Sequence, residues 1–166
     1  LLAMSHYNKI VDEKKDLGPL IQSKEKFEFV IKNYPNTDFA LDSNFKLDLI
    51  QETLASKEMY IAKHYIKKGK WIAAINRLKS IVENYETTIF IEEALHRLVE
   101  IYYKIGLIEE SKKYANLLGY NYASSDWYKN SYKVFNKEYE NPYKKIEKSK
   151  KNKKSSVLKK IKSILN

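Results

Sequence analysis

The segment "EMYIAKHYIKKGKWIAAINRLKSIVENY", Glu58 to Tyr85, carries the clearest sign of the fold. Its apolar residues follow i, i+3, i+4 spacing on both sides of a single glycine, Gly69. That spacing is typical of amphipathic helices, and a glycine just after such a pattern commonly ends a helix. The stretch therefore predicts a hairpin of two helices.

The same pattern returns further along the chain. In "EALHRLVEIYYKIGLIEESKKYANLLG", the apolar spacing is repeated around Gly106, which stands 37 residues after Gly69. Ala74 and Ser111, also 37 residues apart, are small residues at the same place in the second helix of each hairpin. A small side chain is expected there because paired helices approach to about 8–10 Å. The period indicates a repeat array, in which each unit covers an apolar face of its neighbour.

An earlier copy precedes these two hairpins with a longer spacing. "VIKNYPNTDFALDSNFKL" parallels "IVENYETTIFIEEALHRL", but Tyr34 and Tyr85 stand 51 residues apart. The extra 14 residues correspond to about four helical turns. Since no glycine or proline interrupts the region from Ala40 to Lys68, the sequence predicts one continuous helix there.

The helix ends can also be predicted from the sequence. We expect breaks near Pro35, Gly69, Gly106 and Gly119. Ser125 can cap a last helix, which Asn141-Pro142 would close. The sequence therefore predicts an all-α fold, an α-solenoid of helical hairpins with one extended helix.

The composition bounds the class of protein. The chain has 166 residues, 43% of them hydrophobic, which suits one domain with a real core. It contains no cysteine and no apolar run of about 18 residues, so disulfides, thiolate metal sites and a bilayer-spanning helix are excluded. Because the chain opens on Leu1, we expect it to be a fragment whose targeting signal would lie upstream.

No motif for catalysis is present. The three histidines have no metal-ligand spacing, and there is no phosphate-binding glycine loop or nucleophile elbow. Paired acids such as Glu92-Glu93 and Glu109-Glu110 fall in first turns of helices, where the helix dipole favours negative charge. We therefore expect no catalytic, cofactor or metal site.

The positive charge is concentrated at the C-terminus. Residues 144–166 carry ten lysines and one acid, so they account for +9 of the net +10. This divides the chain into a repeat domain, residues 1–142, and a Lys-rich tail, residues 143–166. A nucleic-acid-binding domain should be basic on its folded part, so we expect no nucleic-acid partner.

The tail also carries an apolar pattern. Five apolar residues would share one face of a short helix: Val157, Leu158, Ile161, Ile164 and Leu165. A basic amphipathic helix of this kind is typical of membrane-surface or partner docking. The alternative is a disordered solubilising tail, because so short a helix is marginal alone.

The predicted hairpins resemble tetratricopeptide repeats in their glycine turns and in the small residues at Ala74 and Ser111. Their period is 37 residues, whereas the usual period of these repeats is 34. Three segments, "SKEMYIAKHYIKKGKWIAAINRLKSIVENYETT", "EEALHRLVEIYYKIGLIEESKKYANLLGYNY" and "SDWYKNSY", also resemble the C-terminal part of the BamD family of outer-membrane protein assembly lipoproteins, also called ComL or YfiO. The similarity extends over about residues 1 to 135.

The resemblance implies a non-enzymatic scaffold at the periplasmic face of the outer membrane, held by a lipid anchor upstream of this chain. Implied partners are the membrane-proximal POTRA domain of BamA, smaller accessory lipoproteins of the same machinery and nascent outer-membrane proteins. The alternative is a generic tetratricopeptide adaptor that binds peptides or other proteins. The family architecture implies a concave groove lined by Lys63, Ile66, His96, Glu100 and Tyr103.

Two further groups are candidates for partner contact. Arg77, supported by Asn76, lies beside an apolar stripe where its planar fork can reach a partner carboxylate; a solvated arginine or an intrachain pair is the alternative. A cluster of aromatic residues past the last hairpin either caps the solenoid or meets a partner: Tyr120, Tyr122, Trp127 and Tyr128.

Overall fold

The computed structural model describes residues 3, 4 and 17–136. Six helices follow one another in this part of the chain: α1 Gly18–Asn33, α2 Asp38–Lys67, α3 Trp71–Asn84, α4 Ile91–Lys104, α5 Ile108–Tyr122 and α6 Asp126–Phe135. No strand occurs among the described residues. The prediction of an all-α, tetratricopeptide-like solenoid is confirmed. The Asn141-Pro142 closure and the predicted helix in the tail lie outside the described residues.

The extended helix is confirmed as α2, which runs unbroken for 30 residues. Thr37 caps its start by accepting a hydrogen bond from the backbone N–H of Ala40. The part up to Leu54 packs on α1 through Ile50 and Leu54, and the part after it packs on α3 and α4 through Met59 and Ala62. One helix therefore serves two successive hairpins, because its buried face changes along its length.

The two hairpin turns have the same backbone geometry. Gly69 and Gly106 adopt positive φ angles of 68° and 85°. The backbone N–H of the next residue donates to a carbonyl five residues earlier in each turn, from Lys70 to Tyr65 and from Leu107 to Tyr102, both at 2.9 Å. This is the Schellman arrangement, which needs a left-handed residue and so favours glycine. The predicted breaks at both glycines are confirmed.

The small residues lie where the helices of a hairpin meet. Ala74 and Ser111 are fully buried, and so is Ser23, which stands 51 residues before Ala74. The hydroxyl groups of Ser23 and Ser111 donate to the backbone carbonyls of Ala3 and Val99, at 3.1 and 2.8 Å. Each serine therefore permits a close helix approach and satisfies its own polar group.

The predicted break at Gly119 is wrong. Helix α5 continues through this residue to Tyr122. A Cβ atom at Gly119 would lie 2.6 Å from Cε2 of Tyr128. Position 119 therefore favours glycine because α6 packs closely against it. Positions 69 and 106 favour glycine because their backbone adopts a positive φ.

Candidate partner-binding site

The five residues expected to line a groove do not form one open surface. Lys63 and Tyr103 are exposed, and Ile66 packs partly against the main hydrophobic core. His96, expected as a groove residue, is only 5% exposed. The groove is closed at this point because α6 lies across α4, as the first helix of each successive unit does in a solenoid.

The contact between α4 and α6 is both polar and aromatic. His96 Nδ1 lies 2.7 Å from the hydroxyl of Ser131, which is itself fully buried. Trp127 on α6 lies 5.2 Å from the His96 ring, and the guanidinium of Arg97 sits 5.6 Å from the centre of the Trp127 ring. Tyr103 meets Phe135 edge to face at 5.5 Å. These contacts fix α6 on the preceding unit.

A row of alternating charges runs from α2 along α4, and we call it the charged row: Lys63, Glu93, Arg97 and Glu100. Glu93 accepts hydrogen bonds from Lys63 at 2.9 Å and from Arg97 at 3.2 Å. Arg97 also donates to Glu100 at 2.8 Å. Because Lys63 belongs to α2 and the other three to α4, the row ties two successive hairpins together at their inner edge.

Glu100 ends the charged row beside His96. His96 Nε2 lies 3.5 Å from a Glu100 oxygen. The hydrogen bond from His96, followed by the one from Arg97, lowers the pKa of Glu100 to about 2. Because the Glu100 carboxylate can only accept, a tautomer with its proton on Nε2 suits this geometry, and in that tautomer Nδ1 accepts a hydrogen bond from the Ser131 hydroxyl.

Arg77 already has an intrachain partner. Its Nη1 atom lies 3.3 Å from both carboxylate oxygens of Glu58 on α2. The Arg77 side chain nevertheless stays 45% exposed, while that of Glu58 is 19% exposed. Asn76 is exposed on the same helix. The arginine therefore lies at the edge of α3 as expected, with its charge shared between Glu58 and solvent.

The four aromatic residues past the last hairpin divide into two groups. Tyr122, Trp127 and Tyr128 pack against a hydrophobic cluster formed by Ile91, Leu95 and Leu118. Tyr120 is 90% exposed. Three of these four residues thus cap the core, and the fourth, Tyr120, presents its ring to solvent.

Several residues that shape these surfaces were not identified from the sequence: Glu58, Glu93, Arg97 and Ser131. Glu93, Arg97 and Glu100 stand at i, i+4 and i+7, a spacing that permits ion pairs along one helix face and gives a signal for the row. Ser131 stands 37 residues after the buried Ala94, so the repeat period also marks it. Glu58 has no comparable signal, because its partner lies on another helix.

Within the described residues, no group of histidines and acids could hold a metal ion. None of the helices in this part of the chain is long and apolar enough to cross a bilayer.

Comparison with known proteins agrees with the fold. The model of the YfiO family, described as "Outer membrane lipoprotein", matches residues 1–118. A protein of Rickettsia prowazekii named outer membrane protein assembly factor BamD is 47% identical over 141 residues, covering 85% of this chain and 56% of the relative. The protein of the same name from Caulobacter vibrioides is 40% identical over 136 residues, covering 82% and 45%. The chain therefore spans about half the length of these relatives.

Proposed function

The chain belongs to the YfiO family of outer membrane lipoproteins, and on that premise we propose that it is a non-enzymatic scaffold in the assembly of outer-membrane β-barrel proteins. The observation that carries the proposal is the 47% identity to an outer membrane protein assembly factor over 141 residues. This match extends over the helical hairpins, so the proposed role belongs to the repeat domain.

The internal contacts of the domain suit a scaffold. The charged row joins α2 to α4 through the pair of Lys63 and Glu93, and His96 and Ser131 join α4 to α6. Each contact links the first helices of neighbouring units. Because each link joins neighbouring hairpins, it restrains their relative movement, as a scaffold that keeps two partner domains in register requires.

The proposed partners are the membrane-proximal POTRA domain of BamA, accessory lipoproteins of the same machinery and nascent outer-membrane proteins. Arg77, with Asn76 beside it, offers a partly exposed positive charge at one edge of the solenoid, and Tyr120 offers an exposed aromatic ring near its end. Arginine and tyrosine are enriched at protein interfaces. We propose that the protein works at the periplasmic face of the outer membrane, held by a lipid anchor upstream of this chain.

The proposal is tested by binding and by replacement. The full chain should bind purified BamA POTRA domains, and a copy of the longer protein carrying this region should restore folded outer-membrane proteins in cells depleted of their own assembly factor. A matched copy carrying Arg77→Glu and Tyr120→Ser should restore fewer of them at equal abundance. Failure of the unaltered copy to bind POTRA domains, together with binding to unrelated peptides, would favour the generic adaptor.

A further inference from the structure

The first half of α2 has an apolar face that no described element covers. Leu41, Phe45 and Leu49 stand at i, i+4 and i+8 and are 59%, 62% and 53% exposed. The opposite side of α2 contains Ile50 and, one turn further on, Leu54, which pack toward α1. Ordinary surface helices expose their polar side, so an apolar stripe opposite the buried one indicates a second contact.

Acidic residues border this stripe. At about 100° per residue, Asp42 lies toward one edge of the stripe and Asp48 toward the other, while Asp38 continues it at the start of the helix. Lys46, the basic residue nearest in sequence, lies 3.6 Å from Asp42 and outside the stripe. We call this surface the apolar–acidic face: Leu41, Phe45 and Leu49 with Asp38, Asp42 and Asp48.

We propose that the apolar–acidic face binds the Lys-rich C-terminal segment of the same chain, residues 155–166. In that segment Val157, Ile161 and Leu165 also stand at i, i+4 and i+8, so a helix there presents a stripe of the same length. Lys160 and Lys162 would flank that stripe on its two sides, about 100° before and after Ile161. Apolar residues then meet apolar residues, and lysines meet aspartates on both sides.

The charge balance and the chain length both permit this contact. Residues 144–166 carry +9 of the net +10, so the segment is strongly attracted to an acidic surface. Twenty residues separate Asn136 from Val157. A chain of that length can extend to about 65–70 Å, which exceeds the roughly 45 Å length of the 30-residue α2. A short helix that is marginal alone gains stability when its apolar face is covered.

The test uses the full chain, which has no cysteine of its own. A nitroxide attached through Ser163→Cys would point away from the apolar stripe of the segment. In the ¹⁵N spectrum, amides of residues 38–52 should lose signal intensity, and amides of residues 109–117 on α5 should keep theirs. Phe45→Ser should restore the lost intensity. Tyr120→Ser, which removes an exposed aromatic ring on α5 instead, should leave the loss unchanged.

A mixture of ¹⁵N-labelled chain without nitroxide and unlabelled chain with nitroxide distinguishes a contact within one chain from a contact between two copies. We expect no intensity loss in the mixture, because the contact is within one chain. A loss in the mixture would assign the face to a second copy and overturn the proposal. Intensity loss spread evenly over the protein, no loss at residues 38–52, or a loss that persists in Phe45→Ser would overturn it as well.

Discussion

The hydroxyl of Ser131 lies 2.7 Å from Nδ1 of His96, and both side chains are buried between α4 and α6. This contact satisfies two polar groups that would otherwise be buried without partners. It joins α6 to α4, beside the aromatic contacts of Trp127 with His96 and of Phe135 with Tyr103.

Replacing Ser131 with alanine should destabilise the protein. The change leaves Nδ1 of His96 buried without a partner, which typically costs about 1–3 kcal/mol. Urea unfolding followed by circular dichroism measures the loss. Ser124→Ala, at an exposed position in the preceding turn, should have little effect. Equal unfolding midpoints for Ser131→Ala and the unaltered protein would show that the hydrogen bond adds nothing to stability.

Lowering the pH should reduce the free energy of unfolding through protonation of Glu100. The folded-state pKa of Glu100 is about 2, against an ordinary value of 4.5, so its hydrogen bonds to His96 and Arg97 favour the charged, folded form. The resulting stability is fully present above about pH 4.5 and is lost as the pH falls toward 2.

The urea midpoint measured at a series of pH values checks this dependence. Glu100→Gln should flatten the decline between pH 4.5 and 2, because glutamine has no proton to gain. Asn121→Ala, an exposed change that removes no acid, should decline in parallel with the unaltered protein. If the urea midpoint of Glu100→Gln declined with pH in parallel with that of the unaltered protein, the acid sensitivity would belong to other groups.

Gly119→Ala should destabilise the junction of α5 and α6. Alanine in a helix gains about 0.5–1 kcal/mol over glycine, but its Cβ would lie 2.6 Å from the Tyr128 ring, and overpacking costs about 1–3 kcal/mol. The net effect on the free energy of unfolding should therefore be a loss. In a Tyr128→Leu background, where the ring is absent, Gly119→Ala should become neutral or stabilising; a loss of the same size in both backgrounds would contradict the steric explanation.

Arg77→Glu should weaken binding to the BamA POTRA region by more than about tenfold, because removing one side of a desolvated arginine–carboxylate contact costs about 2–5 kcal/mol. An acid-to-base change in the partner should recover much of the loss, measured by titration calorimetry. The intrachain pair with Glu58 is partly exposed, so Arg77→Gln and Glu58→Gln should each change stability by less than about 1 kcal/mol. Unfolding of either variant would show that the pair is structural.

Tyr120→Ser should reduce the affinity for the same POTRA region without changing the melting temperature, since the ring is 90% exposed. Tyr128→Ser provides the contrast, because Tyr128 packs against the core cluster of Ile91, Leu95 and Leu118 and its loss should lower the melting temperature. If Tyr120→Ser binds as tightly as the unaltered protein, the partner contacts another surface.

The helices, their order and most of their ends follow from local patterns in the sequence. Helices form through contacts between residues three to five apart, so apolar spacing, Gly69, Gly106 and the absence of breakers in α2 were sufficient. The repeat period also located Ala74 and Ser111 where helices meet. These features are local, and a local pattern can be read without knowing how the helices pack.

Which of the expected site residues are accessible depends on how the helices pack. Gly119 is the same residue type as Gly69, yet it does not form a turn. It lies within a helix, where the ring of Tyr128 from α6 packs directly against it. His96 is buried because Ser131, 35 residues later, packs over it, and Arg77 pairs with Glu58, 19 residues earlier. Burial and ion pairing between helices depend on how far apart the helices lie and how they are rotated, and these quantities are set by the packing of all the hairpins together.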